Sequence, residues 1–145
     1  MKLILASNSP RRRELLLELV NNFDIIPSNF DEIITNKSAK DTVRDFARGK
    51  TENVFLRYPD CAILGADTIV TLDNRILGKP KDKDDATNIL RTLSGRCHDV
   101  FSGICLMTPK GIWESVELTR VYFNNLSEEI ITSYVDSGLP MDKAG

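Results

Sequence analysis

Histidine occurs once in this 145-residue chain, at His98, and cysteine three times, at Cys61, Cys97 and Cys105. A single histidine weighs against Ser-His-Asp or Cys-His catalysis. Three scattered thiols without a Cys-x-x-Cys pair argue against a disulfide framework and against a zinc site, and the expectation is buried, reduced thiols. Cys97 and His98 are neighbours, but adjacent residues on a strand face opposite sides, so they do not make a dyad. No stretch approaches the ~18 apolar residues of a membrane helix. The opening Met1-Lys2-Leu3-Ile4-Leu5-Ala6 is too short an apolar run for a signal peptide. A cytoplasmic location without a membrane partner is the resulting expectation. Positive charge is not in excess either: 19 basic against 21 acidic residues give a net charge of −2. That excludes bulk electrostatic binding of nucleic acid and leaves room only for a local basic site. The pattern Gly-x-x-x-x-Gly-Lys is missing, so there is no P-loop.

What is present suits a self-sufficient core. Hydrophobic residues make up 41% and charged residues 28%, which is ordinary for a globular chain. The length fits one domain, taken as residues 1–145. Leu3 to Ala6 is wholly apolar, as a strand buried on both faces requires. Ser9 and Pro10 then form an N-cap and first helical position, ahead of a stripe at Leu15, Leu16, Leu19 and Val20. Phe23 to Ile26 reads as a second strand. Asp41 opens a helix with Val43, Phe46, Ala47, Lys50 and Val54 on one face. Cys61 to Leu72 is strand-like and turns at Asp73-Asn74 into a hairpin with Ile76-Leu77. Asp82 to Asp85 start a helix that Ser94-Gly95 stops. Val100 to Met107 and Ser115 to Phe123 read as strands, and Ser127-Glu128-Glu129 caps a last helix with Ile130, Ile131, Tyr134 and Val135 inward. Strands and helices alternate but also pair as hairpins, which predicts an α/β fold on a mixed sheet.

Five features could carry chemistry. The strand-to-helix turn at Ser7-Asn8-Ser9-Pro10 leaves backbone N–H groups at a helix start, an anion-binding arrangement. Arg11, Arg12 and Arg13 follow, where cations oppose the helix dipole unless an anion sits among them; the alternative is a solvated basic edge. Lys50 lies on an apolar helix stripe, either snorkelling past the edge or aimed inward at a phosphate. Asp67 interrupts the apolar run Ala62 to Val70, where a carboxylate is disfavoured unless it meets a metal, a lysine or a substrate. Gly65 and Ala66 leave room beside it for a ligand to approach. Glu32 is a weaker acidic candidate in a polar loop. Lys79, between Gly78 and Pro80, is either a rigidly presented cation or an ordinary turn residue. Together they supply cations for phosphate oxygens and carboxylates that can hold Mg²⁺ or Mn²⁺, which is equipment for phosphoryl chemistry.

These residues resemble the Maf family. The matching pieces are Leu5 to Arg12, Asp31-Glu32, Lys50, Gly65 to Val70, Gly78-Lys79-Pro80, Leu93 to Arg96 with His98, and Asp142-Lys143-Ala144-Gly145, in the family's order from end to end. The resemblance implies an elongated mixed sheet flanked by helices, in two lobes with a central cleft, as in the inosine-triphosphatase group. It implies a metal-dependent pyrophosphatase that cleaves nucleoside triphosphates between the α- and β-phosphates. Asp67 would be the proton acceptor and a metal carboxylate, with Glu32 assisting. Ser7, Arg12, Lys50 and Lys79 would hold phosphates, while Arg11 and Thr68 would bear on the base. The closing Asp142 to Gly145 resembles the branch acting on dTTP and UTP. Leu139 departs from the family, which usually has an acidic residue there. Members also continue past Gly145 into a segment carrying an aromatic residue, an isoleucine and a glutamine. The family further implies a homodimer and a link to cell division and septum formation. A second reading is therefore a nucleotide-binding regulator of division with little catalysis. A phosphatase using Asp67 as nucleophile would want a second aspartate two residues on, where this chain has Ile69.

Overall fold

In a computed structural model of the chain, residues 1–142 are described. Lys143, Ala144 and Gly145, which close the last family-like motif, lie outside the described residues. The elements in order are β1 (Leu3–Leu5), α1 (Pro10–Leu17), β2 (Asp24–Ile25), α2 (Ala39–Phe55), β3 (Ala62–Leu72), β4 (Arg75–Leu77), α3 (Lys83–Leu93), β5 (Cys97–Thr108), β6 (Gly111–Tyr122) and α4 (Glu128–Asp136), then a short 3-10 turn at Leu139–Asp142. The described strands make one six-stranded sheet in the order β2-β1-β3-β5-β6, with β4 paired to β3. β1 runs parallel to β2 and to β3, whereas β4 runs antiparallel to β3. The mixed α/β sheet expected from the alternating pattern is thus what forms.

Local chemistry sets the boundaries. Ser9, Ser38, Asp82 and Ser127 each accept a backbone N–H at a helix start, which satisfies donors that have no partner within the helix. Asp73 and Asn74 both take left-handed φ, at 51° and 62°. Those angles suit a two-residue hairpin turn, and Leu72 pairs with Arg75 across it. Gly95, at φ +66°, ends α3.

The chain divides into two compact units. The first comprises residues 1–67 and 102–117, the second residues 68–101 and 118–145. In the first, Ile4, Ala6, Val54 and Ile63 form a buried cluster, with Ile26, Phe55 and Cys61 packed against it. In the second, Ala86 and Leu90 of α3 meet Ile131 and Val135 of α4.

Burial corrects three of the expected faces. On α1 only Leu16 is buried, while Leu15 and Leu19 are exposed. The helix has only eight residues, and its end at Leu17 leaves Leu19 and Val20 off the helix. On α4, Ile131 and Val135 are buried but Ile130 faces solvent, because only one side of the helix meets α3. The cysteines are all free, yet only Cys105 is fully buried; Cys97 is exposed and Cys61 is intermediate.

Candidate functional site

The N-terminal turn builds the first element of the site. Ser7, buried just after β1, accepts the backbone N–H of Ser9 at 3.1 Å, and the Arg12 guanidinium reaches its hydroxyl at 3.5 Å. The Ser9 hydroxyl in turn accepts the N–H of Arg12. No acidic residue lies in the first turn of α1. Arg12 is half-buried, and that burial pulls its pKa below the usual arginine value, against the opposing attraction of Asp67 and Glu32. Arg11 and Arg13 are exposed.

The second element is α2, and Lys50 is its contribution. The ammonium lies 2.8 Å from Asp67 Oδ1 and 2.6 Å from Glu32 Oε1. Of the alternatives that its place on the apolar stripe left open, neither describes it fully: it points inward, and its partners are two carboxylates. Phe30, two residues before Glu32, sits edge-on to Phe46 and lies against Gly49 on the same helix. Any side chain at Gly49 would collide with the Phe30 ring, since a Cβ there would come within 2.3 Å of it. Asn53 also accepts the backbone N–H of Asn29. The loop before Glu32 is therefore pinned to α2, one turn from Lys50. Sequence reasoning missed Phe30 and Gly49; the signal was a glycine inside a helix, where it costs about 1 kcal/mol relative to alanine.

Asp67 is the third element. It is 6% exposed on β3, and its Oδ2 is buried without a hydrogen-bond partner. Burial is the main cause that raises its pKa above the ordinary carboxylate value, and the hydrogen bond and charge of Lys50 work in the opposite direction. A carboxylate whose proton affinity is raised by burial suits a general base. The donor chemistry also fits a hard divalent cation. Asp67 Oδ2 is an unsatisfied buried oxygen, and Glu32 adds a second carboxylate about the same ammonium. No cluster of three or more His, Cys, Asp or Glu is found among the described residues. Two carboxylates would leave the remaining coordination positions to phosphate oxygens and water, as Mg²⁺ sites commonly do.

The structure thus gathers Ser7, Arg12, Glu32, Lys50 and Asp67 in the first unit. Thr68 and Lys79 belong to the second unit, where both are exposed. The space beside Gly65 proves to be filled by α2, not left for a ligand: a Cβ there would come within 2.1 Å of the Thr51 hydroxyl. In the second unit His98 is buried edge-on to Phe123 while Cys97 is exposed, which bears out the opposite-face reading of this pair.

The chain is thus an α/β protein in which a helix start flanked by arginine accompanies two carboxylates sharing one ammonium, a set of groups whose chemistry suits a polyanion and a hard cation. A family model described as Maf-like protein matches residues 2–145, and the chain belongs to the Maf family. It is 48% identical over 151 residues to the dTTP/UTP pyrophosphatase of Clostridium beijerinckii, covering all of this chain and 80% of that protein. It is 43% identical over 145 residues to the dTTP/UTP pyrophosphatase of Aquifex aeolicus, covering 100% of this chain and 76% of that protein. Against the dTTP/UTP pyrophosphatase of Pyrococcus furiosus the identity is 44% over 147 residues, with 99% and 76% covered. Among solved structures, the Staphylococcus aureus Ham1 protein matches with a TM-score of 0.54 at 16% identity, over 83% of this chain and 70% of that one. That likeness speaks for the fold alone. No helix among the described residues is long and apolar enough to cross a membrane.

Proposed function

We propose that this chain is a nucleoside triphosphate pyrophosphatase that hydrolyses dTTP or UTP to the monophosphate and pyrophosphate. The observation that carries the reading is the Lys50 bridge between Glu32 and Asp67, with the second oxygen of Asp67 buried and unpartnered. The names of relatives at 43–48% identity over the full chain supply the substrates.

In this reading Ser7, Arg12 and the backbone at the start of α1 bind phosphate oxygens. Lys50, whose ammonium already stands at the carboxylates, moves its charge onto the phosphate chain as substrate enters. Asp67 Oδ2 accepts the proton of a water that attacks phosphorus in line. The anhydride P–O bond between the α- and β-phosphates breaks, and the electron pair leaves on pyrophosphate. Asp67 and Glu32 would hold Mg²⁺ or Mn²⁺, which would supply Lewis-acid neutralisation of phosphate charge. Lys79 contributes a further phosphate contact, and Arg11 and Thr68 bear on the base. A cytoplasmic location suits both the substrate and three free cysteines. A homodimer and absence of nucleic-acid binding complete the reading.

The test is product analysis with dTTP and UTP in the presence of Mg²⁺ or Mn²⁺. Pyrophosphate and monophosphate in equal amounts support the proposal, and orthophosphate alone sinks it. Tight nucleotide binding without product would instead favour a nucleotide-binding regulator.

A further inference from the structure

α2 meets the sheet through glycine. On β3, a Cβ added to Gly65 would come within 2.1 Å of the Thr51 hydroxyl, 3.0 Å of the Ala47 carbonyl oxygen and 3.1 Å of the Thr51 nitrogen. On the neighbouring strand β5, a Cβ on Gly103 would come within 2.9 Å of the Val43 carbonyl oxygen. The helix backbone therefore rests directly on two strands at their glycines, closer than any side chain would permit. Thr51 is fully buried, and its hydroxyl lies 2.8 Å from the carbonyl oxygen of Ala47 and 3.2 Å from that of Cys105 on β5. Val54, one turn further along α2, belongs to the same buried cluster as Ile63 of β3.

The order of these contacts matters. Along β3, Ile63, Gly65 and Asp67 share one face, and all three are buried. Along α2, Thr51 lies against Gly65, and Val54 joins the buried cluster that holds Ile63. Lys50, adjacent to Thr51, reaches Asp67, two residues beyond Gly65. The close approach at Gly65 and the ammonium-carboxylate contact at 2.8 Å are neighbouring rungs of one helix-strand ladder. A lysine side chain is long and adaptable, but its base is fixed by the helix backbone. Moving that backbone outward by the width of a methyl group withdraws the ammonium from Asp67 on β3, while Glu32, on the loop held to α2 by Phe30 and Asn53, moves with the helix.

We infer that Gly65 and Thr51 are positioning residues for the site, their contact setting the height of α2 over β3 and so the place of the Lys50 ammonium. Neither touches substrate in the proposed reaction. The inference rests on the proposed role of Lys50 only for its effect on turnover, and the contact itself can be read without any activity.

The experiment measures competitive acetylation of the lysines by acetic anhydride on the intact chain, with mass spectrometry reporting Lys50 relative to exposed Lys37. Gly65→Ala raises Lys50 labelling several-fold, because the ammonium leaves the Asp67 carboxylate, and lowers kcat for pyrophosphate release at least ten-fold. Adding Thr51→Ala to Gly65→Ala removes the nearest colliding atom and returns both values most of the way to wild type. Thr51→Leu forces the same backbones apart from the helix side and raises Lys50 labelling by itself, even where Gly65→Ala is too unstable to purify. A folded Gly65→Ala or Thr51→Leu variant with unchanged Lys50 labelling overturns the inference, as does a double variant that shows no recovery. A wild-type chain that releases no pyrophosphate defeats the functional reading and leaves the labelling comparison to decide this one.

Discussion

Lys50 donates to one oxygen of Asp67 at 2.8 Å, while the other oxygen of the same carboxylate is buried with no hydrogen-bond partner. The carboxylate is thus half satisfied: one oxygen is held by Lys50 and the other is left without a partner. Glu32 shares the ammonium from the loop side at 2.6 Å.

Replacing Asp67 with asparagine keeps the shape and removes the base. We expect kcat for dTTP or UTP to fall by about 10² to 10⁴, the usual worth of a positioned general base. Nucleotide affinity, measured by calorimetry, should stay within a few-fold of wild type. A variant that retains wild-type turnover would remove Asp67 from the reaction.

The same carboxyl has a consequence for stability against pH. Its folded-state pKa is raised, chiefly by burial, so the folded chain binds this proton more tightly than the unfolded chain. Stability from this group is therefore fully present below the ordinary carboxylate range and is lost as pH rises through the raised value. In chelator, the melting temperature of Asp67→Asn minus that of wild type should be larger at pH 8 than at pH 4. An equal difference at both pH values would show that burial does not control this group.

Lys50→Met keeps the aliphatic stem and deletes the ammonium. Asp67, with a side chain only 8% exposed, then loses its counter-charge and faces Glu32 across the gap. The cost at pH 8 should be about 2–4 kcal/mol, toward the range for breaking a buried pair, and less at pH 4, because the raised pKa of Asp67 makes its charge easier to lose as pH falls. Denaturant unfolding at the two pH values checks this, and turnover should fall with it.

Chelation by EDTA should abolish pyrophosphate release, and readdition of Mg²⁺ or Mn²⁺ should restore it. Glu32→Gln retains the loop, pinned by Phe30 on Gly49, but weakens the oxygen donor set. It should raise the metal concentration giving half-maximal rate by about 10-fold or more, in line with losses seen when ligand shells are disturbed. An unchanged metal requirement would free Glu32 from that role.

Ile63 is fully buried in a cluster with Ile4, Ala6 and Val54. Ile63→Ala should cost about 2–5 kcal/mol through lost burial and the cavity left behind. Urea unfolding measures it, with the midpoint falling and the slope unchanged.

Much of this was written locally. Helix starts were legible because Ser9, Asp82 and Ser127 cap by reaching their own N–H groups three residues on, which needs no tertiary partner. The hairpin at Asp73-Asn74 was legible because both residues tolerate left-handed φ. Asp67 stood out because a carboxylate inside an apolar strand is costly unless answered. Faces were less legible. Leu15 and Leu19 carry helical spacing, but spacing does not say whether a partner covers them, and both are exposed.

By itself, then, the sequence determined the mixed α/β fold, the family and the residue types at the site, through caps, periodicity and ordered motifs. The tertiary structure alone decided who answers Asp67. Glu32, Lys50 and Asp67 lie on a loop, a helix and a strand, with Asp67 17 positions after Lys50. Their meeting depends on how closely α2 lies on β3. That closeness is set by the missing side chain of Gly65 against Thr51, a contact between segments that no local pattern encodes.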